Sequence, residues 1–170
     1  MERFAETGEM KPGNPDKLSP HEMFKTTQEL VRFGNRNEKM ENWRVLLAEG
    51  HLSFRQEMVK VLAGMREVNL VAKVANGWDV MFTSAQLKPD IILLDFDLPG
   101  LTGPEVTSLI KRGLPDTPVI MMLSGEDEGQ MKLAAQCGAS ACLVKSLLAQ
   151  DLPPLLEKLE RGRRVSEGQD

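Results

Sequence analysis

Residues 90–103, DIILLDFDLPGLTG, run four aliphatic side chains straight into Asp95, Phe96 and Asp97, then turn at Pro99 and Gly100. A strand without polar alternation is buried on both faces, which is the mark of an inner strand in a parallel sheet. Its last residues are acids, so the apolar run delivers two carboxylates to the place where the sheet opens. Working outward, WRVLLA (43–48), LVAKV (70–74), PVIMMLS (118–124) and ACLVK (141–145) read as four further strands.

Helical patterns separate them. Ser53 and Gln56 are expected to open a helix with Phe54, Met58, Val61, Leu62 and Met65 on its apolar face. WDVMFTSAQ (78–86) is a second helix, stopping before Pro89. A third runs from Pro104 to Gly113, and a fourth from about Glu126 to Cys137 with Gly138 behind it. Asp151 is expected to cap a last helix, LPPLLEKLERG (152–162). Strands alternating with helices predict an α/β domain, a doubly wound five-stranded parallel sheet covered on both faces.

Ahead of this pattern, residues 1–18 are polar, contain Gly and Pro, and are expected to form a disordered tail. Ser19, Pro20 and Glu22 then supply a cap, a first-turn proline and a capping box. Met23, Thr27, Leu30 and Val31 follow at helical spacing up to Gly34. This predicts an extra N-terminal helix at about 20–33, joined by the linker NRNEKMEN (35–42).

Composition narrows the function classes. The 170 residues carry a net charge of -4, 41% hydrophobic and 27% charged residues, values ordinary for a soluble domain. An acidic balance argues against direct nucleic-acid binding, and the basic cluster RGRR (161–164) reads as a solvated terminus. No run is apolar enough to insert in a membrane, and the charged N-terminus lacks a signal-peptide core, so a cytoplasmic location is expected. Cys137 and Cys142 form neither a disulfide framework nor a zinc spacing, and read as small packing residues.

In a doubly wound sheet, ligands bind beyond the carboxyl ends of the strands. There the sequence places Glu49, Gly50 and His51 after strand one, Asp95 and Asp97 after strand three, Ser124 and Gly125 after strand four, and Lys145 at the end of strand five. That set suits phosphoryl transfer to a carboxylate, with an aspartate as nucleophile forming an acyl phosphate. Two like charges 4 Å apart cost roughly 4 kcal/mol at an effective dielectric near 20, so clustered acids need a compensating cation. Mg²⁺ is the expected cofactor, with a lysine and a hydroxyl to meet the phosphate oxygens.

The stretches VLLAEGH, KPDIILLDFDLPGLTG, TPVIMMLSG and GASACLVKS resemble the receiver domain of two-component response regulators. The EGH opening is similar to the branch whose members usually carry a C-terminal helix-turn-helix, a module expected to be absent here. The resemblance implies the flavodoxin-like order 2-1-3-4-5, and the following division: tail 1–18, N-terminal helix and linker 19–42, receiver domain 43–161, C-terminal tail 162–170. It further implies that Asp95 is the phosphoacceptor, Ser124 the switch hydroxyl and Lys145 the phosphate-binding lysine. Glu49, Asp95 and Asp97 are the implied metal-site residues.

The chain departs from the family at two positions. Gly50 stands where a second metal-ligating acid is usual, and Cys142 where a switch tyrosine or phenylalanine is usual. The Asp97 side chain is expected to replace part of the missing ligand, and His51 reads as a loop residue beside the pocket. The expected function is that of a single-domain response regulator of a phosphorelay. It would take phosphate from a histidine kinase or phosphotransfer protein and signal by protein contact, without being an enzyme itself. The alternative is a phosphorylation-independent pseudo-receiver, for which Gly50 and Cys142 speak. A hydrolase on a related fold lacks a G-x-S-x-G elbow.

Overall fold

The structure is a computed structural model that describes residues 42–167. The expected tail 1–18 and the N-terminal helix at 20–33 lie outside the described residues. From Trp43 the chain alternates strictly: β1 Trp43–Ala48, α1 Leu52–Ala63, β2 Val68–Val74, α2 Gly77–Leu87, β3 Ile91–Asp95, α3 Gly103–Gly113, β4 Val119–Leu123, α4 Glu128–Gln136 and β5 Ala141–Val144. A short 3₁₀ turn, Lys145–Leu147, leads directly into α5, Leu148–Glu167. The five strands form one sheet in the order β2-β1-β3-β4-β5, with every neighbouring pair parallel.

The sheet divides the core in two, and the two-residue period of each strand decides which side chain goes where. Val45, Leu47, Ile91, Leu93, Ile120 and Met122 meet Met58 and Leu62 of α1 and Leu148, Leu152 and Leu156 of α5. Their neighbours Leu46, Ile92, Leu94, Val119, Met121 and Leu123 meet Val80 of α2, Val106 and Ile110 of α3 and Ala134 of α4. β3 and β4 are buried at every residue because both faces are covered, whereas β5 is half-buried throughout as an edge strand.

Several boundaries differ from the sequence reading, each for a local reason. β2 starts at Val68, because Trp43 and Arg44 find partners in Val68 and Asn69 before a register shift at Val45/Leu46. His51, not Ser53, is the residue before α1, and no side chain caps that helix. The fourth helix begins at Glu128, with the Asp127 carboxylate accepting from the Gln130 N–H at 2.8 Å.

Asp151 does not open the last helix. It lies in the first turn of a helix already begun at Leu148 and continuing through Pro153 and Pro154. The expected C-terminal tail is also corrected in part, since α5 passes the 161 boundary and runs to Glu167. Ion pairs one turn apart accompany this extension: Glu160 meets Arg163 at 3.1 Å and Arg164 at 3.2 Å. The Arg163 guanidinium also stacks 4.7 Å from the Trp43 ring centre, tying the helix end to the start of β1.

Candidate functional site

The strand order makes β1 and β3 neighbours although β2 lies between them in sequence, so the direction in which strands are added to the sheet reverses between them, opening a crevice at their carboxyl ends. Ala48 pairs with Leu94, which places Glu49 beside Asp95 just where both strands stop. Both acids are essentially inaccessible, at 0% and 1% exposure. Buried charges need partners, and here the partner is Lys145. Its Nζ lies 2.8 Å from Glu49 Oε2 and 2.8 Å from Asp95 Oδ1. The 3₁₀ turn after β5 aims the lysine inward, and its ammonium passes 5.1 Å from the Phe54 ring centre on α1. Burial pushes the Lys145 ammonium down, but its pairing with Asp95 and Glu49 outweighs that and holds it above its ordinary 10.5.

One ammonium does not satisfy two carboxylates. Glu49 Oε1 accepts the His51 main-chain N–H at 2.9 Å, and Asp95 Oδ1 accepts the Asp97 N–H at 3.2 Å. Glu49 Oε2 takes the Lys145 ammonium at 2.8 Å, and Asp95 Oδ2 is left buried without a hydrogen-bond partner. Two buried carboxylates sharing one ammonium fit a hard divalent cation such as Mg²⁺, which prefers oxygen ligands. Glu49, His51 and Asp95 each present a ligand atom within 4.8 Å of the others, the one such group among the described residues.

The other site residues from the sequence fall into place differently. Asp97 is exposed, and its side chain lines a separate groove of about 410 Å³ between α3 and α4, with Phe96, Thr102 and Cys137. It stays outside the Glu49–His51–Asp95 group, to which it contributes a main-chain N–H. Ser124 stands two residues past Met122, the register partner of Asp95, at the same edge of the sheet and exposed to solvent. Cys142 is half-buried in β5 against the core on the α2–α4 side, where burial pushes its thiol up.

Gly50 also has a steric reason to be small. A Cβ at this position would sit 3.0 Å from Pro99 Cδ, so any side chain needs the proline ring to give way. One residue that holds the site, Arg55, was not picked out by sequence. Arg55 of α1 donates from Nη1 to the Glu49 carbonyl at 2.6 Å and the Gly50 carbonyl at 3.3 Å, fixing the loop that presents Glu49. His51, read as a bystander, brings its Nδ1 to 3.6 Å from Glu49 Oε1. Its position two residues past the acid was the available signal; for Arg55, a helix-surface cation, there was none.

The turn after β3 is held equally firmly. The Gly77 N–H donates to the Pro99 carbonyl at 3.0 Å, and a Cβ on Gly77 would strike the Leu101 backbone. Gly100 adopts φ +83, a left-handed conformation suited to glycine, with the Trp78 side chain directly against it. Glu105 accepts from both the N–H and the hydroxyl of Thr102, which fixes the start of α3.

Residues 45–157 match the family model of the response regulator receiver domain. The response regulator protein VraR of Staphylococcus aureus is 28% identical over 124 residues, covering 73% of this chain and 59% of VraR. The chain thus spans under two thirds of the length of that relative. A crystal structure of a DNA-binding response regulator of the LuxR family from Staphylococcus aureus aligns with a TM-score of 0.64. It shares 25% identity, over 68% of this chain and 97% of that one. The non-phosphorylated receiver domain of the stress response regulator RcsB from Escherichia coli aligns with a TM-score of 0.67. Its 21% identity, over 72% of this chain and 95% of that domain, speaks to the fold alone.

Proposed function

The chain belongs to the response regulator receiver family of two-component systems, and on that premise we propose that it accepts a phosphoryl group on Asp95 and transmits the modified state by protein contact. The observation that carries this reading is Asp95 Oδ2, a carboxylate oxygen at the end of β3 that is buried yet accepts no hydrogen bond. That oxygen has a lone pair to offer phosphorus. The new P–O bond forms as the bond from phosphorus to the donor breaks, and the leaving group keeps that electron pair. A histidine kinase or a histidine phosphotransfer protein is the proposed donor.

The surrounding residues take the accompanying charge. Lys145, already 2.8 Å from Asp95 Oδ1, is placed to follow the transferred phosphoryl oxygens as a point charge. Ser124, at the same sheet edge, is the hydroxyl proposed to hydrogen-bond another of them. Glu49 and Asp95 are the proposed holders of a Mg²⁺ ion, which when bound would offset the negative charge of the incoming group. No helix among the described residues is long and apolar enough to cross a membrane.

Incubation with a small phosphodonor such as acetyl phosphate plus Mg²⁺, followed by intact mass, tests the reading. One added phosphoryl group that disappears in Asp95→Asn is expected. A second reading, a phosphorylation-independent interaction module, is favoured by one observation, the crowding of Pro99 against the acid-less position 50. An unmodified wild type at saturating Mg²⁺ would decide for it.

A further inference from the structure

We propose that His51 is a third ligand of the cation site and that its imidazole shifts the site from magnesium toward borderline cations of the cobalt and zinc kind. The inference rests on the proposed metal role of Glu49 and Asp95 and adds a ligand and a selectivity to it. Glu49 and Asp95 supply two buried carboxylates, each with an oxygen within 4.8 Å of the other's and of a His51 ring nitrogen. Position 50 is a glycine and offers no third carboxylate. The next donor along the loop is the His51 ring.

Its placement suits the task. Ligands about 2.1 Å from a common ion lie roughly 3.0–3.5 Å from each other, so the 3.6 Å between Nδ1 and Glu49 Oε1 is already close to a coordinating separation. The loop cannot drift, because Arg55 holds the carbonyls of Glu49 and Gly50 and the His51 N–H is tied to Glu49 Oε1. The ring itself remains 80% exposed, free to turn its nitrogen onto an ion. Exchanging an oxygen ligand for imidazole changes which ions are preferred. Mg²⁺ takes oxygen ligands almost exclusively, whereas nitrogen donors strengthen binding of later divalent metals. A site of two carboxylates and one imidazole fits Co²⁺ or Zn²⁺ better than Mg²⁺.

The test uses the untagged full chain, titrated with CoCl₂ and separately with MgCl₂. Calorimetry gives the affinities, the visible absorption of bound Co²⁺ reports its ligands, and Trp78 fluorescence reports the neighbouring turn. Because the His51 side chain is exposed, His51→Ala leaves the core intact. Loss of an outer-shell partner already costs roughly tenfold in metal affinity, so loss of a direct ligand is expected to weaken Co²⁺ at least tenfold and alter its spectrum. Mg²⁺ affinity should stay within about twofold, since oxygen ligands hold that ion, and Asp95→Asn should weaken both ions.

Unchanged Co²⁺ affinity and spectrum in His51→Ala would overturn the inference while leaving the phosphoacceptor reading, measured by mass, untouched. Equal weakening of Co²⁺ and Mg²⁺ would overturn the selectivity. Absence of binding by either ion at millimolar concentration would overturn the inference and the proposed metal site together.

Discussion

Replacing Lys145 with methionine keeps an unbranched side chain and removes the charge between Glu49 and Asp95. In the wild type the ammonium is 2.8 Å from each acid. Without it, two buried carboxylates whose oxygens approach within 4.8 Å repel by about 3.5 kcal/mol at an effective dielectric near 20. Breaking a buried ion pair by removing one partner costs roughly 3–5 kcal/mol, so the two routes agree. For a chain of this size, where 1 kcal/mol corresponds to about 3 °C, thermal unfolding at pH 7 should fall by about 10 °C. Adding Glu49→Gln removes one of the opposing charges, and the double variant should recover at least half of the loss.

The pH profile supplies an independent check. The folded-state pKa of Lys145 is raised above 10.5, so its stabilisation is complete below 10.5 and is lost as pH rises through the folded value. The wild type should lose stability on that alkaline limb, and Lys145→Met should lack this contribution. Calorimetric unfolding across pH measures both. A loss under about 1 kcal/mol in Lys145→Met, the size of a surface pair, would refute the claim that this ammonium neutralises the site. Failure of Glu49→Gln to rescue would do the same.

Gly50→Asp should strengthen Mg²⁺ binding in a Trp78 fluorescence titration, while crowding against Pro99 lowers stability by about 1–3 kcal/mol. Gly103→Ala would place a Cβ 2.5 Å from the Asp95 carbonyl and 2.9 Å from Phe96 Cα. A loss of at least about 2 kcal/mol in chemical denaturation is expected, together with slower phosphorylation, because Asp95 itself must shift. Burial raises the Cys142 thiol above its ordinary 9.0, so less thiolate is present at a given pH. In Cys137→Ser, iodoacetamide labelling of Cys142 should therefore rise with pH along a curve displaced to the alkaline side of a model thiol.

The β-sheet was readable because β3 and β4 lie inside it and carry unbroken apolar runs, so Asp95 at the end of such a run was easily placed. Glu49 and Lys145 were found by the same logic, since strand ends are where this architecture collects its ligands. Helix starts were harder. Ser53 and Asp151 look like caps, yet α1 begins without a side-chain cap and α5 grows out of a 3₁₀ turn before Asp151 appears. Tertiary packing of Leu148 and Leu152 into the core overrides that local signal.

Side-chain direction was the least legible property of the site. Asp97 and His51 both stand two residues past an acid, and sequence spacing favoured the carboxylate. The turn after β3 instead sends Asp97 outward to the α3–α4 groove. Arg55 holds the carbonyls of Glu49 and Gly50, and the His51 imidazole stands 3.6 Å from Glu49 Oε1.

The most direct measurement is to locate the phosphoryl group. After treatment with a small phosphodonor and a divalent cation, borohydride reduces an aspartyl phosphate to homoserine, which tandem mass spectrometry assigns to one position. The account predicts homoserine at position 95 and none in Asp95→Asn. Modification at another residue, or none while the fold stays intact, would contradict it.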